Sequence, residues 1–248
     1  RTDLSEPSGD AADSYHRYGE DIRMLADAGL GMYRFSIEWA RIEPAEGCFS
    51  KAQLLHYRHM IYVCHQNGVE PMVTLNHMTL PQWLAAKGGW LNADAVDYFA
   101  RYVRYVMTIL HDVTWVCTIN EPNMVALTRG GTEGSDFAAA SLPAPDPDIS
   151  VTLVEAHRKA REILSGNPRI KSGWTIACQA FHAMPGCERE MEEYQYPRED
   201  YFTEAAAGDD FIGVQAYLRT FIGKEGPVPV PEDAERTLTG WEDFPPAL

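Results

Sequence analysis

Apolar residues recur along the chain at two alternating periods. Tyr15, Tyr18, Ile22 and Leu25 fall at steps of three and four, with Asp13 or Ser14 as a helix cap and Gly29 as a stop. Residues 32–37 are short and rich in aromatic and branched side chains, which predicts a strand. Leu54, Tyr57, Ile61 and Cys64 make a second helical face that closes at Gly68, and 69–75 reads as a second strand. Val96, Phe99, Val103, Val106 and Leu110 form the cleanest helical stripe, followed by a strand over 113–119. Leu153, Ala156, Ala160 and Ile163 mark a helix ending at Gly166, and 171–178 is the next strand. A weaker helical stretch at 201–207 leads into a fifth strand at 210–215.

Helix and strand in strict alternation predict a parallel sheet, closed as a barrel or open and doubly wound. No glycine-rich GxGxxG turn follows any of these strands, so the barrel is preferred. Length complicates that choice. Each of the five units consumes about 40 residues, against roughly 30 in a compact barrel unit. The remaining segment, 217–248, carries Pro227, Pro229, Pro231, Pro245 and Pro246 and no clear strand. Eight strands do not fit, so the sheet is open or the chain is part of a larger barrel. The stretch 129–150, rich in Gly, Ala, Pro and Asp, follows the third strand and is read as a wall of a substrate cleft.

Composition narrows the possible partners. Of 248 residues, 45% are hydrophobic, enough for a full-sized core. Lys and Arg total 21 against 36 Asp and Glu, a formal net charge of −15. Such an acidic chain is unsuited to gripping nucleic acid or an anionic membrane surface. No apolar run reaches the roughly 18 residues of a membrane span. Arg1 opens no signal peptide, and an arginine start is read as a missing N-terminus. Cysteines 48, 64, 117, 178 and 187 are odd in number and form no CxxC pair, which reads as free thiols in a reducing, cytoplasmic setting.

The chemistry concentrates at strand ends. In Thr118-Ile119-Asn120-Glu121-Pro122-Asn123, an apolar strand finishes in a carboxylate that proline stops at once. Glu121 is thereby set at the mouth of the sheet, where desolvation raises a carboxyl pKa and suits it to general-acid work; the plainer reading is a turn cap. His77 ends the preceding strand in the same way, although a lone histidine is more often structural. Arg34 lies inside the first strand, where a charge needs a partner, so a buried acid is expected near it. Glu38, just past that strand, is the in-chain candidate for a second carboxylate, or else a solvated strand-end acid. Trp39, Trp83, Trp90 and Trp174 could stack on sugar rings or simply fill the core. His16, His56, His59 and His65 lack metal-ligand spacing and read as solvated helix faces.

Taken together, these segments resemble glycoside hydrolase family 1, the β-glucosidase and 6-phospho-β-glucosidase family. The resemblance rests on residues 8–18, on Tyr33-Arg34-Phe35-Ser36-Ile37 with Trp39, and on Val73-Thr74-Leu75-Asn76-His77 with Leu80-Pro81. Lys87-Gly88-Gly89-Trp90-Leu91, Asn120-Glu121-Pro122 and Asp210-Phe211-Ile212-Gly213 continue it, in the family's order. The resemblance implies an α/β fold, a TIM (β/α)8-type barrel, here one partial domain over 1–248 covering about strands 2 to 6. It implies a retaining hydrolase of β-linked glucosides or related sugars, with Glu121 as acid/base. Asn120 would hold the sugar's 2-hydroxyl, His77 would bond a sugar hydroxyl, and Arg34 and Tyr217 would orient the nucleophile. No metal or organic cofactor is expected.

The chain also departs from the family's pattern. The family's nucleophile motif, Thr-Glu-Asn-Gly, does not occur, and 240–248 resemble the segment before it. The first strand also has no counterpart before Arg1. Met78 stands where an aromatic residue is usual, and Gln215-Ala216 where Asn-Tyr is usual. Two readings follow: a β-glucosidase-like hydrolase whose nucleophile lies outside this chain, or a non-catalytic, carbohydrate-binding remnant. Pairing Glu38 with Glu121 as a self-contained site is a third idea. Open sheet edges in so short a barrel lead us to expect oligomerisation.

Overall fold

The computed structural model describes residues 9–128, 143–238 and 241–247. Its elements run α1 (Ser14–Asp27), β1 (Met32–Ser36), α2 (Trp39–Ile42), α3 (Lys51–Gln66), β2 (Glu70–His77), α4 (Gln82–Ala85) and α5 (Ala95–Met107). Then follow β3 (Trp115–Asn120), α6 (Pro122–Val125), α7 (Pro147–Leu164), β4 (Lys171–Ala183), α8 (Glu188–Gln195), α9 (Tyr201–Ala205), β5 (Phe211–Gly223) and β6 (Gly226–Val228). One sheet has the order β1-β2-β3-β4-β5-β6, parallel throughout except for the β5–β6 pair. Spatial order equals chain order, with no reversal point, so this is the barrel-type winding and not the doubly wound one. The sheet is an incomplete (β/α)8-type barrel.

The predicted helical faces are the buried ones. Leu54, Tyr57, Ile61 and Cys64 of α3, and Phe99, Val103 and Val106 of α5, are all buried against the sheet. Gly29 and Gly68 take φ of 78° and 68° just past α1 and α3, a left-handed exit that glycine makes without Cβ strain. Burying each large apolar side chain contributes roughly 1.5–3 kcal/mol before the entropy cost. Trp39, Trp90, Phe99 and Tyr102 pack as one aromatic cluster, with Trp39 stacked on Tyr102 at 5.1 Å. Trp174 is buried under His157 at 4.1 Å. These tryptophans are core residues, and Trp83, partly buried, donates to the Glu43 carbonyl at 2.9 Å.

The second half departs from the expected boundaries. β4 and β5 continue to Ala183 and Gly223, beyond the 178 and 215 that periodicity predicts. A register slip between Cys178 and Gln179 breaks the alternation from which a longer strand could have been read. β6 then turns back, antiparallel, inside the proline-rich tail that was expected to hold no strand. α8 was not anticipated, because its sequence is almost wholly polar and none of its residues is buried. Residues 129–142 of the expected cleft wall lie outside the described residues, as do Ser8 and Gly240 of the resemblance segments.

Candidate active site

β2 and β3 run side by side and in register, with His77 opposite Asn120. Each strand then ends in a non-glycine residue with left-handed backbone, Met78 at φ 67° and Glu121 at φ 47°. Such a residue costs about 1–2 kcal/mol, and Pro122 at the first position of α6 fixes the turn. The Glu121 amide still donates to the Thr175 carbonyl at 2.7 Å, so the turn remains stapled to β4.

Glu121 is 7% exposed and borders a cavity of about 440 Å³. Its Oε1 accepts from the Tyr217 hydroxyl at 2.8 Å and from Gln215 Nε2 at 2.5 Å. Burial raises its pKa, and these two bonds, together with the Arg34 charge, oppose the rise without cancelling it. The result is a carboxyl that keeps its proton to higher pH than an ordinary glutamate.

Arg34 crosses the strand ends. Its Nε donates to Thr74 Oγ1 at 2.9 Å, and its Nη2 donates to Asn120 Oδ1 at 2.6 Å and to Thr175 Oγ1 at 3.3 Å. Its Nη1 reaches Gln215 Oε1 at 3.3 Å, so Gln215 bridges the guanidinium to Glu121. Among the described residues no carboxylate lies in ion-pair range of Arg34. In place of the buried acidic partner expected for it, Arg34 meets four neutral oxygen acceptors among the described residues, the Thr74 and Thr175 hydroxyls and the Asn120 and Gln215 side-chain carbonyls. Asn120 is fully buried; its Oδ1 accepts from Arg34 and Thr175, while its Nδ2 has no partner among the described residues. His77 is exposed, and among the described residues its ring meets Ser36 Oγ, at 3.4 Å. Crowding by the strand ends, with the Arg34 charge, holds its imidazole pKa below the usual histidine value.

The structure thus brings Arg34, Asn120, Glu121 and Tyr217 into one hydrogen-bonded group and leaves His77 at its margin. Glu121 and Tyr217 border the cavity; Arg34, Asn120 and His77 do not. Tyr217 bonds Glu121 directly, and no second carboxylate meets its hydroxyl among the described residues. Glu38 is occupied elsewhere: it caps α2 through the Ala40 amide at 3.2 Å and accepts from Thr79 Oγ1 at 2.8 Å. No group of three potential metal ligands occurs among the described residues. Sequence reasoning missed Gln215 as a site residue, and it missed Glu199 and Trp241 on the cavity wall. Gln215 was visible only as a departure from the family pattern, and Glu199 sits in a charged run, 198–200, with no apolar periodicity to mark it.

Comparison with known proteins places this geometry. The sequence profile of Glycosyl hydrolase family 1 matches residues 3–150. Beta-glucosidase A of Acetivibrio thermocellus is 43% identical over 124 residues, 48% of this chain and 28% of that protein. The solved beta-glycosidase BGL167 superposes with a TM-score of 0.86 at 37% identity, over 98% of this chain and 64% of that one. A beta-glucosidase from Thermotoga maritima, solved in complex with deoxynojirimycin, gives a TM-score of 0.78 at 26% identity, over 95% and 62%. The chain therefore spans less than a third of the curated relative and just under two thirds of the solved structures.

Proposed function

The chain belongs to glycosyl hydrolase family 1, and from that premise we propose that it is the acid/base half of a retaining β-glycosidase acting on β-linked glucosides or related sugars. Glu121 protonates the glycosidic oxygen as the leaving group departs, then takes the proton of the water that attacks the glycosyl-enzyme. By the family resemblance, Asn120 would hold the sugar 2-hydroxyl and His77 a neighbouring hydroxyl. The nucleophile comes from outside residues 1–248, because the Thr-Glu-Asn-Gly motif does not occur here. Arg34 and Tyr217 would orient it. The self-contained Glu38–Glu121 pair is set aside, since Glu38 is committed to Ala40 and Thr79.

The observation that carries this reading is the buried, raised-pKa carboxyl of Glu121 on a strand-end turn beside a cavity. The rival reading, a carbohydrate-binding remnant without turnover, draws on the same missing motif. Five unpaired cysteines support a reducing, cytoplasmic setting, and Met32 on β1 and Val214 on β5, both exposed, support self-association through the sheet.

The test is binding and turnover measured together. Phenyl 1-thio-β-D-glucoside should bind the 248-residue chain without being hydrolysed. p-Nitrophenyl β-D-glucoside should turn over only in a longer chain that carries the motif, and Glu121→Gln should cut that rate about 10²- to 10⁴-fold. Turnover by the 248 residues alone would place the nucleophile within them. A longer chain indifferent to Glu121→Gln would overturn the acid/base assignment, and one that binds but never turns over would favour the remnant.

A further inference from the structure

A second buried acid borders the same cavity as Glu121. Glu199 is 8% exposed and sits in a single π-type turn, Tyr196–Asp200, between α8 and α9. Such turns insert one residue into a helix and re-aim a side chain. Here the register slip at Cys178/Gln179 leaves the Gln179 amide to a side-chain acceptor, and Glu199 Oε1 takes it at 2.6 Å. No described residue bonds the other carboxyl oxygen.

Asn123 fixes the relation between the two acids. Two residues past Glu121, its Nδ2 donates to the Arg198 carbonyl at 2.8 Å and to the Ala177 carbonyl at 2.8 Å, and its Oδ1 accepts from the Ala177 amide at 3.2 Å. The turn carrying Glu199 is thus bonded to the turn carrying Glu121. The neighbouring cations are engaged elsewhere. Arg198 lies over the Tyr194 ring at 3.5 Å and donates to the Tyr194 carbonyl, and Arg219 pairs with Glu242. Burial, unrelieved by a cation, pushes the Glu199 carboxyl up to about 7. Much of the remaining wall is apolar, with Met124, Leu127, Phe221, Pro229 and Trp241.

We propose that Glu199 selects the leaving group: its free carboxyl oxygen accepts a hydrogen bond from a hydroxyl on an otherwise apolar, aromatic leaving group lodged in this cavity. The proposal rests on the glycosidase reading and adds to it the class of leaving group and the residue that recognises it. An apolar wall supplies affinity without direction. Of the other acids on this cavity, Glu121 is committed to the glycosidic oxygen and Glu242 to Arg219, which leaves the Glu199 oxygen to decide between similar ligands.

The test compares phenyl 1-thio-β-D-glucoside with its 3- and 4-hydroxyphenyl analogues, by calorimetric titration of the purified protein at pH 8, where Glu199 is largely ionised. Wild type should bind one hydroxyphenyl analogue about 10-fold more tightly than the plain phenyl compound. Glu199→Leu should erase that preference while changing the phenyl affinity less than about twofold. Because Glu199 also anchors the Gln179 amide, Glu199→Gln serves as the variant that keeps this anchor. It should reduce the preference to a few-fold without lowering the melting temperature. A wild type with no preference, or variants that weaken all three ligands alike, would overturn the proposal and leave the glycosidase reading standing. Failure of all three compounds to bind would overturn both.

Discussion

Two buried carboxylates in this chain illustrate opposite uses of burial. Glu43, fully buried at the end of α2, is saturated: it accepts from Trp39 Nε1 at 3.0 Å and from the Gly47 amide at 2.8 Å, and it pairs with Arg101. Glu121, nearly as buried just past β3, accepts among the described residues from the neutral donors Tyr217 and Gln215, and it borders a cavity. A buried acid given its own cation is spent on holding structure. One left with neutral partners keeps a raised proton affinity that a reaction can use. Burial does not separate the two; the partners do.

The contrast can be broken most severely at Glu121 itself. Glu121→Gln should remove about 10²- to 10⁴-fold of glucoside turnover in the motif-bearing chain, with unfolding free energy within about 1 kcal/mol of wild type. Arg101→Leu should do the reverse. Stranding Glu43 without its cation costs about 3–5 kcal/mol in urea unfolding, while thioglucoside affinity is untouched. Equal effects of the two substitutions on stability would erase the distinction.

Much of this contrast could not be read from the chain. Strand ends were legible because apolar runs stop at Pro122 and at Met78, and that placed Glu121 and His77 correctly at the mouth of the sheet. The helix faces were legible because α3 and α5 bury a simple stripe. Glu43 and Glu199 were not, since neither lies on a periodic apolar face and a decisive partner of each is distant in sequence, Arg101 for one and Gln179 for the other. Arg34 announced a need for a partner, but sequence could not say that amides and hydroxyls would meet it. The long β4 and β5 were hidden by the slip at Cys178/Gln179, and the cavity wall they build was hidden with them.

Glu199 sharpens the comparison through pH. Its folded-state pKa of about 7 lies above the unfolded value of about 4.3, so the folded state holds an extra proton between them. Stability is then fully present below about pH 4 and declines as pH rises toward 7, by about 3 kcal/mol from this group. Glu199→Gln should flatten that decline and leave the protein more stable than wild type at pH 8, as read from urea midpoints at pH 5 and pH 8. Parallel slopes for the two proteins would show that Glu199 is not a buried, cation-free acid.

The smallest effect concerns the donors to Glu121. Tyr217→Phe removes a hydrogen bond that favours the carboxylate, so the Glu121 pKa should rise further. A fall would mean that the hydroxyl bonds the protonated form instead.

Direct titration of Glu121 tests the account at its centre. Carboxyl carbon-13 resonances of the wild-type protein would be followed from pH 3 to pH 8, with the signal missing in Glu121→Gln identifying the residue. A midpoint clearly above the ordinary glutamate value of about 4.3 is the predicted result. A midpoint at or below that value would contradict it, and Glu121 would then be a paired structural acid like Glu43.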